Sequence, residues 1–582
     1  MENKQFDVWA QDCMSRIMPN RREKRGKKKI SLSAAGNEVA SFQVGISGLS
    51  EKLRDLDAEL KVEISDIVSK KGGLISREKA EILYAEYVPV HWNSAGNPPG
   101  ELEGEAPGFF PDPLFPALWR GRWRKEKFSD TLGVWVRIPV GPQISPGKYF
   151  GKVSVTLEGE RKDVDFSLDV LPFSLPPDSH FLMTNWFRTA TVMKFHEVGP
   201  LTEEFWKVME VYAKNLSGHR QNVILTPLFS LNATCFRVFG DREESLIGIL
   251  EQSPGKYSFQ FDCFDRWAEL FFSYGFQLLE GSHLARRSVN PSPILLRRPG
   301  QGSIEKRIFS STLDEDYRTF LGQFLEALEK HLLEKGWLEK FCLHVSDEPN
   351  GNQLGPYTSL AGFVKEHAPG IKRIDAMGEP EFAPYSDYPV PQESRYAEFA
   401  SKSVIPRDRI WFYYCCEPTG PWPNRFIDLP LIRLRIFTWL AFKYDIKGFL
   451  HWGLNHWDWH PPYYREEPYN PYDNTTGGSL QAGDSYVIYP PRRPDESHEP
   501  VDSIRWEIIR KAMEDYEYLY MLRDLLKRGE GNPEDLEEGR RLLREMDERI
   551  VPDFTGHTRD AGYLESFRLR VAKAIMKLDR KG

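Results

Sequence analysis

Two neighbouring acidic residues, Asp347 and Glu348, stand where an apolar stretch of strand length ends, in the sequence KFCLHVSDEPNG. Consecutive side chains of a strand point to opposite faces of its sheet, so both carboxyl groups can face one pocket only where the strand has ended. Pro349 and Asn350-Gly351 favour such an ending because they form turns. Two carboxyl groups at one strand end can divide acid–base and charge-stabilising roles between them.

Other polar and aromatic residues are expected at the ends of the neighbouring strands. Carboxyl groups beside aromatic rings suit cleavage of a glycosidic bond. One acid protonates the leaving oxygen, another charge or nucleophile steadies the positive sugar carbon, and rings pack on apolar sugar faces. The candidate substrate-binding residues are Trp186, Glu280, His283, Tyr413, Tyr414, Trp452, Asn455, Trp457 and Trp459.

The adjacency of the two acids favours one route of glycosidic cleavage. Neighbouring residues are poorly placed to flank a sugar from both sides, as an acid and a nucleophile do in most retaining enzymes. They suit substrate-assisted catalysis, in which the 2-acetamido oxygen of the substrate attacks the anomeric carbon. We therefore assign Asp347 to orienting the acetamido group and Glu348 to general acid and base catalysis. Tyr414, slightly preferred over Tyr413, is the candidate for binding the acetamido oxygen.

Two other functions remain open. An ordinary retaining β-glycosidase would use Glu348 as acid and base, with Glu417, after the seventh predicted strand, as nucleophile. A catalytically inactive carbohydrate-binding scaffold would use the same aromatic surface without hydrolysis. The structural alternative for the acidic pair is a helix N-cap at Asp347 beside a solvated Glu348.

Structural alternatives also exist for the candidate binding residues. The aromatic run after residue 451 could plug the mouth of the fold, and Asn455 could bind loop backbone. Glu280 and His283 could support the site from behind. Five charged residues at helical spacings are expected to form ion pairs that seat the last strong helix: Arg505, Glu507, Arg510, Glu514 and Asp515.

The elements that must position these residues suggest a multidomain β and α/β fold. Alternating apolar and polar residues with Gly and Pro between them predict an N-terminal β-sandwich over residues 1–175. Residues 176–528 alternate strand-like and helical segments. Eight such strands fit a (β/α)8, TIM-like barrel with its chemistry at the carboxyl strand ends. A doubly wound sheet is the main rival, but no Gly-rich phosphate loop is present. Residues 529–582 predict a C-terminal helical extension.

Composition excludes several classes of function. A net charge of -8 over 582 residues gives no basic surface for nucleic acid, and no apolar run reaches the about 18 residues of a membrane span. The first residues lack an apolar signal core, so we expect a cytoplasmic protein, or one whose leader was removed. The six cysteines show neither CxxC nor zinc spacing, and Cys415 and Cys416 are expected to be small buried hydrophobes. The oligomeric state is left open.

Several stretches together resemble the family-123 glycoside hydrolases, the β-N-acetylgalactosaminidases, and the uncharacterised proteins that share their catalytic domain. They are PGFFPDPLFP, WVRIPVGPQISPGKYFGKV, HVSDEP, GFLHWGLNHW and SIRWEIIRKAMEDYEYL. The resemblance covers most of the chain. It implies a β-sandwich before a (β/α)8 barrel, retaining hydrolysis of terminal β-N-acetylgalactosamine through an oxazoline-type intermediate, and no metal or organic cofactor. The family's Asp-Glu pair falls on Asp347 and Glu348. Insertions at 284–306 and 463–482 depart from the family pattern and leave the outer subsites open.

Overall fold

The structure is a computed structural model. It describes residues 6–19, 26–49, 60–98, 100–117, 130–232, 243–300, 302–457, 471–473, 475, 480–491 and 498–579. Trp459 and most of the insertion expected at 463–482 lie outside the described residues.

The N-terminal part is rich in β-strands, as the alternating sequence pattern predicts. Its described strands are β1 (Asp7–Gln11), β2 (Lys29–Gly36), β3 (Glu38–Ser47), β4 (Leu60–Ile64), β5 (Ile67–Ser69), β6 (Leu74–Ile75), β7 (Glu81–Val90), β8 (Gly108–Phe115), β9 (Thr131–Val140), β10 (Gly147–Leu157) and β11 (Glu160–Ser174). One sheet has the order β1-β3-β9-β7-β8 and the other the order β2-β11-β10-β5-β6, with β4 also on β10.

The two N-terminal sheets share one apolar core. Phe42 of β3 and Phe166 of β11 come from different sheets, yet their ring centroids lie 5.1 Å apart. Both residues are at most 1% exposed and belong to one buried cluster. Burial of such large rings between the sheets supplies much of the free energy that holds them face to face.

The described residues of the following part form eight short parallel strands and several hairpins. The strands are β12 (Leu182–Asn185), β13 (Val223–Thr226), β14 (Gly248–Ser253), β15 (Lys256–Gln260), β16 (Leu278–Gly281), β17 (Ala285–Arg286), β18 (Asn290–Pro291), β19 (Ile294–Leu296), β20 (Glu305–Arg307), β21 (Phe341–His344), β22 (Lys372–Ala376), β23 (Tyr388–Val390), β24 (Phe412–Tyr413) and β25 (Gly448–His451). The parallel strands form two sheets, β13-β16-β21-β22-β23 and β12-β25-β24, and the other strands form antiparallel hairpins.

The closed (β/α)8 barrel expected from the sequence is not present. Within the described part of the chain, no strand ladder joins β12 to β13 or β23 to β24. At the first gap the Asn222 side chain replaces strand pairing, accepting from the Met183 amide at 2.8 Å and donating to the Phe181 carbonyl at 2.9 Å. At the second, Pro389 and Pro391 accept hydrogen bonds through their carbonyls but have no N–H to donate.

The helices lie between these strands and after them. They are α1 (Thr189–His196), α2 (Glu203–Gly218), α3 (Asp262–Ser273), α4 (Glu315–Lys335), α5 (Leu354–His367), α6 (Tyr396–Lys402), α7 (Leu431–Arg435), α8 (Phe437–Lys443), α9 (Ile504–Arg528), α10 (Pro533–Glu545) and α11 (Ala561–Leu578). Thr202 caps α2 by accepting from the Phe205 amide, as its residue type favours. Among the helices that the structure describes, none is long and apolar enough to cross a membrane.

The chain returns to the N-terminal sheet just before α9. A short strand, β26 (Asp502–Ser503), pairs antiparallel with β8. Arg505 follows on α9 and binds Asp112 of β8, with both side chains at most 1% exposed. The two parts are therefore joined by backbone and by buried charge. The boundaries 1–175, 176–528 and 529–582 remain a prediction.

Candidate active site

Asp347 and Glu348 lie immediately beyond the carboxyl end of β21. Glu348 has a φ of 42°, a left-handed conformation that is uncommon for a residue other than glycine. The N-cap of the next turn is Asn350, so Asp347 is not used as a helix cap. The side chains of Asp347 and Glu348 are 25% and 33% exposed. Both carboxyl groups are thus partly open to solvent at a strand end.

Arg287 holds the two carboxyl groups on a common side. Its Nε donates to Asp347 Oδ2 at 3.4 Å, and its Nη2 donates to Glu348 Oε2. The Arg287 side chain is 73% exposed. Two carboxyl groups that bind one guanidinium must face the same space, as expected for two acids that follow the end of one strand.

The segment that carries Arg287 is positioned by backbone pairing with the end of β21. The Leu284 amide donates to the His344 carbonyl at 3.0 Å and the Ala285 amide to the Val345 carbonyl at 2.9 Å. Ser346 Oγ then donates to the Arg286 carbonyl at 3.1 Å. The start of the insertion 284–306 therefore runs beside the end of β21 and places Arg287 over the acidic pair.

The electrostatic environment raises the pKa of the Asp347 carboxyl group to about 6. Burial is the main cause, because it disfavours the charged form, and the nearby negative charge of Glu348 adds to it. The positive charges of Arg287 and His344 act in the opposite direction. Asp347 can therefore change protonation state in a weakly acidic solution.

His283 lies beside the acidic pair with an unused ring nitrogen. Its Nε2 is 4.0 Å from Asp347 Oδ1 and has no hydrogen-bond partner among the described residues. Burial, with the charges of His344 and Arg188, holds the pKa of His283 well below its usual value. The imidazole is therefore neutral and can exchange one hydrogen bond with a bound molecule.

Of the two candidate tyrosines, Tyr413 rather than Tyr414 contacts the acidic pair. The Tyr413 hydroxyl donates to Glu348 Oε1 at 2.8 Å. The Tyr414 side chain is 1% exposed and packs against Phe437 and Phe449. The slight preference for Tyr414 was wrong. Consecutive strand residues face opposite sides, and the sequence does not say which side is the pocket.

A buried chain of polar side chains supports the site from beneath. His344 Nε2 lies 2.5 Å from Glu280 Oε1, and its Nδ1 lies 3.4 Å from Asp375 Oδ1. Burial alone would lower the pKa of His344, but hydrogen bonds to Asp375 and Glu280 raise it to about 9. Asp375 Oδ1 also accepts from the Val345 and Ser346 amides. The chain fixes the backbone immediately before Asp347.

Glu280 and Trp186 belong to this support. Glu280 is 0% exposed, and its oxygens also accept from Thr184 Oγ1 at 2.6 Å and Trp186 Nε1 at 2.8 Å. The Trp186 ring, 7% exposed, meets the edges of the His283 and His344 rings. The carboxylate of Glu280 is engaged by three protein groups, which corrects the expectation that it contacts substrate.

The aromatic run after β25 is only partly available to a ligand. Trp452 is half-buried, and its Nε1 donates to Asp484 Oδ2 at 3.1 Å. Trp457 is 0% exposed and donates to the Ile488 carbonyl, so it is a core residue and the expectation of sugar contact was wrong. Trp459 lies outside the described residues. Trp452 is the remaining described tryptophan of this run that can face a sugar.

Asn455 serves the backbone of a neighbouring loop. It is 0% exposed, accepts from the Arg188 amide at 2.9 Å and donates to the Arg188 carbonyl at 3.1 Å. These bonds hold its amide against the chain that begins α1. Asn455 therefore binds loop backbone, which was the structural alternative, and the expectation of a sugar contact is corrected.

Glu417, the alternative nucleophile, is exposed and follows the Tyr413 segment. Its carboxylate accepts from the Thr419 amide at 3.2 Å, and its backbone carbonyl accepts from Gln392 Nε2 and the Cys415 amide. None of these bonds directs the carboxylate toward Asp347 or Glu348.

One group of residues away from the acidic pair has the spacing of metal ligands. Atoms of His219, Asp502 and Glu507 lie within 4.8 Å of one another. The Arg137 guanidinium already pairs with Asp502 at 2.5 Å and with Glu507 at 2.6 Å. A positive charge of the protein thus occupies the position that a cation would need.

Sequence reasoning missed four supporting residues: Arg287, His344, Asp375 and Asp484. His344 stands inside the HVSDEP motif, three residues before Asp347, and could have been found from this position. Arg287 lies in an insertion, and Asp375 and Asp484 lie on other elements. Their contacts arise only when the strands are assembled.

Comparisons with known proteins show the family to which the chain belongs. The family model described as glycoside hydrolase 123, catalytic domain, matches residues 186–522, more than half of the 582-residue chain. A solved structure of a family 123 glycoside hydrolase from Clostridium perfringens, described in terms of glycolipid glycan hydrolysis, is similar with a TM-score of 0.73. Its identity is 16%, over 99% of this chain and 98% of that one. A search of curated proteins finds no match.

Two further structures are much less similar. A β-glucuronidase from Bacteroides uniformis has a TM-score of 0.28 and 11% identity, over 88% of this chain and 51% of that one. A GH10 xylanase from termite gut has a TM-score of 0.28 and 9% identity, over 84% and 99%. Neither likeness supports an argument, and the Clostridium structure supports the fold alone. The family model decides the assignment: this chain belongs to glycoside hydrolase family 123 and is a glycosidase.

Proposed function

We propose that the chain is a retaining exo-glycosidase that removes terminal β-linked N-acetylhexosamine, above all β-N-acetylgalactosamine, by substrate-assisted catalysis. One observation carries the proposal. Two sequence neighbours, Asp347 and Glu348, place their carboxyl groups against one guanidinium at a strand end. Carboxyl groups this close cannot flank a sugar as an acid and a nucleophile, but they can serve an acetamido arm and a leaving oxygen on the same side.

The two acids have different roles in this mechanism. Asp347, when ionised, accepts a hydrogen bond from the acetamido N–H and so turns the carbonyl oxygen toward the anomeric carbon. Glu348 protonates the glycosidic oxygen as the bond to the aglycone breaks, and then removes a proton from the water that opens the oxazoline-type intermediate. Attack from the substrate's own oxygen followed by attack from water inverts the anomeric carbon twice, which retains its configuration.

Neighbouring residues assist these steps. The Tyr413 hydroxyl and Arg287 both bind Glu348 and hold its carboxyl group in place. The neutral His283 places its Nε2 4.0 Å from Asp347 Oδ1 and adds no charge beside that carboxyl group. Trp452, held by Asp484, presents an aromatic face at the same end of the strands and is the candidate for packing against the sugar.

A barrel-like arrangement of the eight parallel strands fits this site. One apolar cluster contains a residue from each of them: Leu182, Val223, Leu278, Cys342, Ile374, Val390, Tyr413 and Leu450. A shared interior of this kind supports two arcs of strands around one axis, with the acidic pair at the carboxyl ends.

The natural substrate is proposed to be a glycolipid glycan. The description of the Clostridium perfringens relative concerns glycolipid glycan hydrolysis, and that relative is similar over nearly the whole of both chains. The exposure of Asp347 and Glu348 leaves room for a large aglycone outside the site.

The ordinary retaining mechanism and the inactive scaffold are the competing functions. Glu417 follows the end of β24 and is exposed, so its position does not remove it as a nucleophile. The acidic pair and its supporting hydrogen bonds argue against an inactive scaffold. Substrate and mutant kinetics separate all three.

Hydrolysis of p-nitrophenyl glycosides tests the proposal. We expect cleavage of β-GalNAc ahead of β-GlcNAc, with no cleavage of plain β-galactoside or β-glucoside, and strong inhibition by a thiazoline mimic of the oxazoline. Glu348→Gln is expected to lose less rate on the activated p-nitrophenyl leaving group than on a natural glycan, because the former needs little acid assistance. Glu417→Gln is the matched control and should retain activity.

Three results would contradict parts of this proposal. Cleavage of a plain hexoside with inert acetamido sugars would exclude substrate assistance. Equal losses for Glu348→Gln on both leaving groups would remove its acid role. A 2-fluoro sugar bound covalently to Glu417 would establish the ordinary retaining mechanism instead.

A further inference from the structure

Two adjacent cysteines, Cys415 and Cys416, lie in the segment that leads from Tyr413 to Glu417. Their Sγ atoms are 3.8 Å apart. Both side chains are half-buried, whereas Cys13 and Cys342 are buried. The two cysteines are therefore not the small buried hydrophobes expected from the sequence, and their thiols lie close together. An oxidant in solution can therefore join these two thiols in a disulfide bond.

A bond between these two sulfurs would be strained. Neighbouring Cα atoms are about 3.8 Å apart across a trans peptide, closer than the about 4.4–6.8 Å of ordinary disulfides. Strained and exposed disulfides are the ones that are easily reduced. A bond formed here would be reversible under mild reducing conditions, unlike a structural disulfide.

The segment that carries the cysteines is tied to the acidic pair. Tyr413 donates its hydroxyl to Glu348 at 2.8 Å, two residues before Cys415. The Cys415 amide donates to the Glu417 carbonyl at 2.9 Å, and Asn424 Nδ2 donates to the Cys415 carbonyl at 2.8 Å. The Cys415 carbonyl belongs to the peptide bond between the two cysteines, so rotation of this peptide strains its bond to Asn424 and the two-residue link back to Tyr413.

We propose that Cys415 and Cys416 form a reversible oxidation site, at which a low-molecular-weight disulfide such as glutathione disulfide closes a bond between them and displaces Tyr413 from Glu348. One cysteine thiolate attacks a sulfur of glutathione disulfide, which forms a mixed disulfide and releases one glutathione thiolate. The second cysteine thiolate then attacks the protein-side sulfur, which forms the Cys415–Cys416 bond and releases the second glutathione. Two electrons pass to the oxidant, and two protons leave the thiols.

The surroundings of Cys415 make this exchange slow at neutral pH. Its hydrogen bond with Cys416, burial and the negative charge of Asp484 raise the pKa of the Cys415 thiol. Only the thiolate is a nucleophile, so the reaction needs time or an alkaline solution. The oxidation site stands on its own, whereas its effect on catalysis rests on the proposed function.

Mass spectrometry of the full-length protein tests the oxidation site. After incubation with glutathione disulfide at about pH 8.5, close to the free thiol pKa, tryptic digestion releases both cysteines in the peptide 410–425. We expect this peptide to lose two hydrogens without retaining glutathione, and dithiothreitol to restore it. A peptide that keeps both thiols, or that keeps bound glutathione, would overturn the proposal.

Activity toward p-nitrophenyl β-GalNAc tests the coupling. We expect kcat/KM to fall by about tenfold on oxidation, as for loss of one hydrogen bond to a charged group, and to recover with dithiothreitol. Cys416→Ser should abolish both the peptide change and the activity change. Cys263→Ser, at another half-buried free cysteine, should abolish neither.

The two readouts separate the two proposals. An oxidised peptide with unchanged kcat/KM would overturn the coupling to Tyr413. An oxidised peptide in a protein that hydrolyses no glycoside in either redox state would support the oxidation site and contradict the proposed function.

Discussion

Glu348 is held by two side chains from opposite directions, Arg287 from an insertion and Tyr413 from β24. A general acid must keep its carboxyl group aimed at the leaving oxygen, and misplacement by about 1 Å can cost two orders of magnitude in rate. The phenolic hydroxyl donates to the carboxylate without adding charge. Tyr413 thus positions Glu348 without changing the net charge of the site.

Replacing Tyr413 by Phe should lower kcat/KM for β-GalNAc substrates by about tenfold, because one hydrogen bond to a charged carboxyl group is lost. Tyr414→Phe is the matched control on the neighbouring residue, since Tyr414 is 1% exposed and packs in the core. Steady-state kinetics on both variants measures the difference. Equal losses, or a larger loss for Tyr414→Phe, would contradict the assignment of Tyr413.

The pKa of Asp347, about 6, predicts an acid limb in the pH profile. In the proposed mechanism Asp347 must be ionised to accept the acetamido N–H, so kcat/KM should fall as the pH drops below about 6. Arg287 lowers this pKa. Arg287→Gln should therefore move the limb to higher pH, by roughly half a unit for so exposed a charge.

The control for the pH profile is Arg286→Gln, one residue away and also exposed. This variant should leave the acid limb where it is, because Arg286 makes no ion pair with Asp347. A limb that stays fixed in Arg287→Gln, or moves to lower pH, would show that Asp347 is not the group whose ionisation controls kcat/KM.

At this scale, sequence adjacency alone was enough to bring Asp347 and Glu348 together. Consecutive residues at a strand end, such as Tyr413 and Tyr414, could not be sorted into pocket and core, since either face satisfies the alternating pattern. Arg287 could not be predicted because a surface arginine in an insertion has no periodic signal. The choice among such residues depends on the assembled strands.

At the scale of elements, the end of β21 is fixed by a carboxylate from β22. Asp375 Oδ1 accepts from the Val345 and Ser346 amides, and Oδ2 accepts from the Tyr357 hydroxyl. These bonds replace the strand pairing that the chain loses as it turns toward Asp347. The geometry of the acidic pair is thus a property of two strands and helix α5.

Asp375→Asn should lower both stability and kcat. Both carboxylate oxygens of Asp375 accept hydrogen bonds, and the NH2 group of asparagine would point at a donor instead of accepting from it. A buried donor or acceptor left unpaired costs about 1–3 kcal/mol, and looser positioning of Asp347 should reduce kcat by about tenfold or more. Thermal unfolding and steady-state kinetics measure the two effects.

The matched control is Asp387→Asn. Asp387 precedes β23 and pairs with Arg373 and Arg409 at the amino ends of the strands. Its substitution should lower stability with little change in kcat. A comparable loss of kcat in both variants would mean that stability alone governs the rate.

Helices whose apolar residues recur over several turns could be predicted from the sequence. Closure of the parallel sheet, which depends on single residues, could not. Phe205, Met209, Tyr212 and Leu216 recur at helical spacing in the sequence, which indicates one buried face of α2, and all four are 0% exposed. Closure of the eight-stranded sheet could not be judged from apolar runs. It depends on Asn222, Pro389 and Pro391 at the two gaps, and each looks like an ordinary strand-end residue in the sequence.

Across the whole molecule, α9 is the element that joins the β-rich part to the glycosidase part. Ion pairs were predicted for five residues at helical spacings, Arg505, Glu507, Arg510, Glu514 and Asp515. The structure confirms those of Arg505, Glu507, Arg510 and Asp515, whereas Glu514 accepts a hydrogen bond from the Val39 amide. Glu507 pairs with Arg137 of β9, and Asp515 pairs with Arg435 and Arg568. The partners were not predictable, since they lie up to several hundred residues away. Glu507, ionised between Arg137 and Arg510, has a lowered pKa despite its burial.

The pair of Arg505 and Asp112 gives the sharpest test of this junction. Arg505 binds Asp112 and also donates to the Gly483 and Tyr486 carbonyls, so one guanidinium connects β8, α9 and the loop that carries Asp484. Asp112→Asn leaves this charge buried without its counter-ion, and breaking a buried pair costs about 3–5 kcal/mol.

We therefore expect Asp112→Asn to lower Tm strongly and to unfold both parts in one transition at the lower temperature. Asp163→Asn is the control: Asp163 pairs with Lys152 and Arg161 on the surface of the same N-terminal part, and such pairs contribute roughly 1 kcal/mol or less. Calorimetry on both variants measures the difference. The opposite outcome is a separate early transition of the N-terminal sheets while the glycosidase part stays folded and active. It would show that the two parts do not depend on this junction, because only independent units can unfold in sequence.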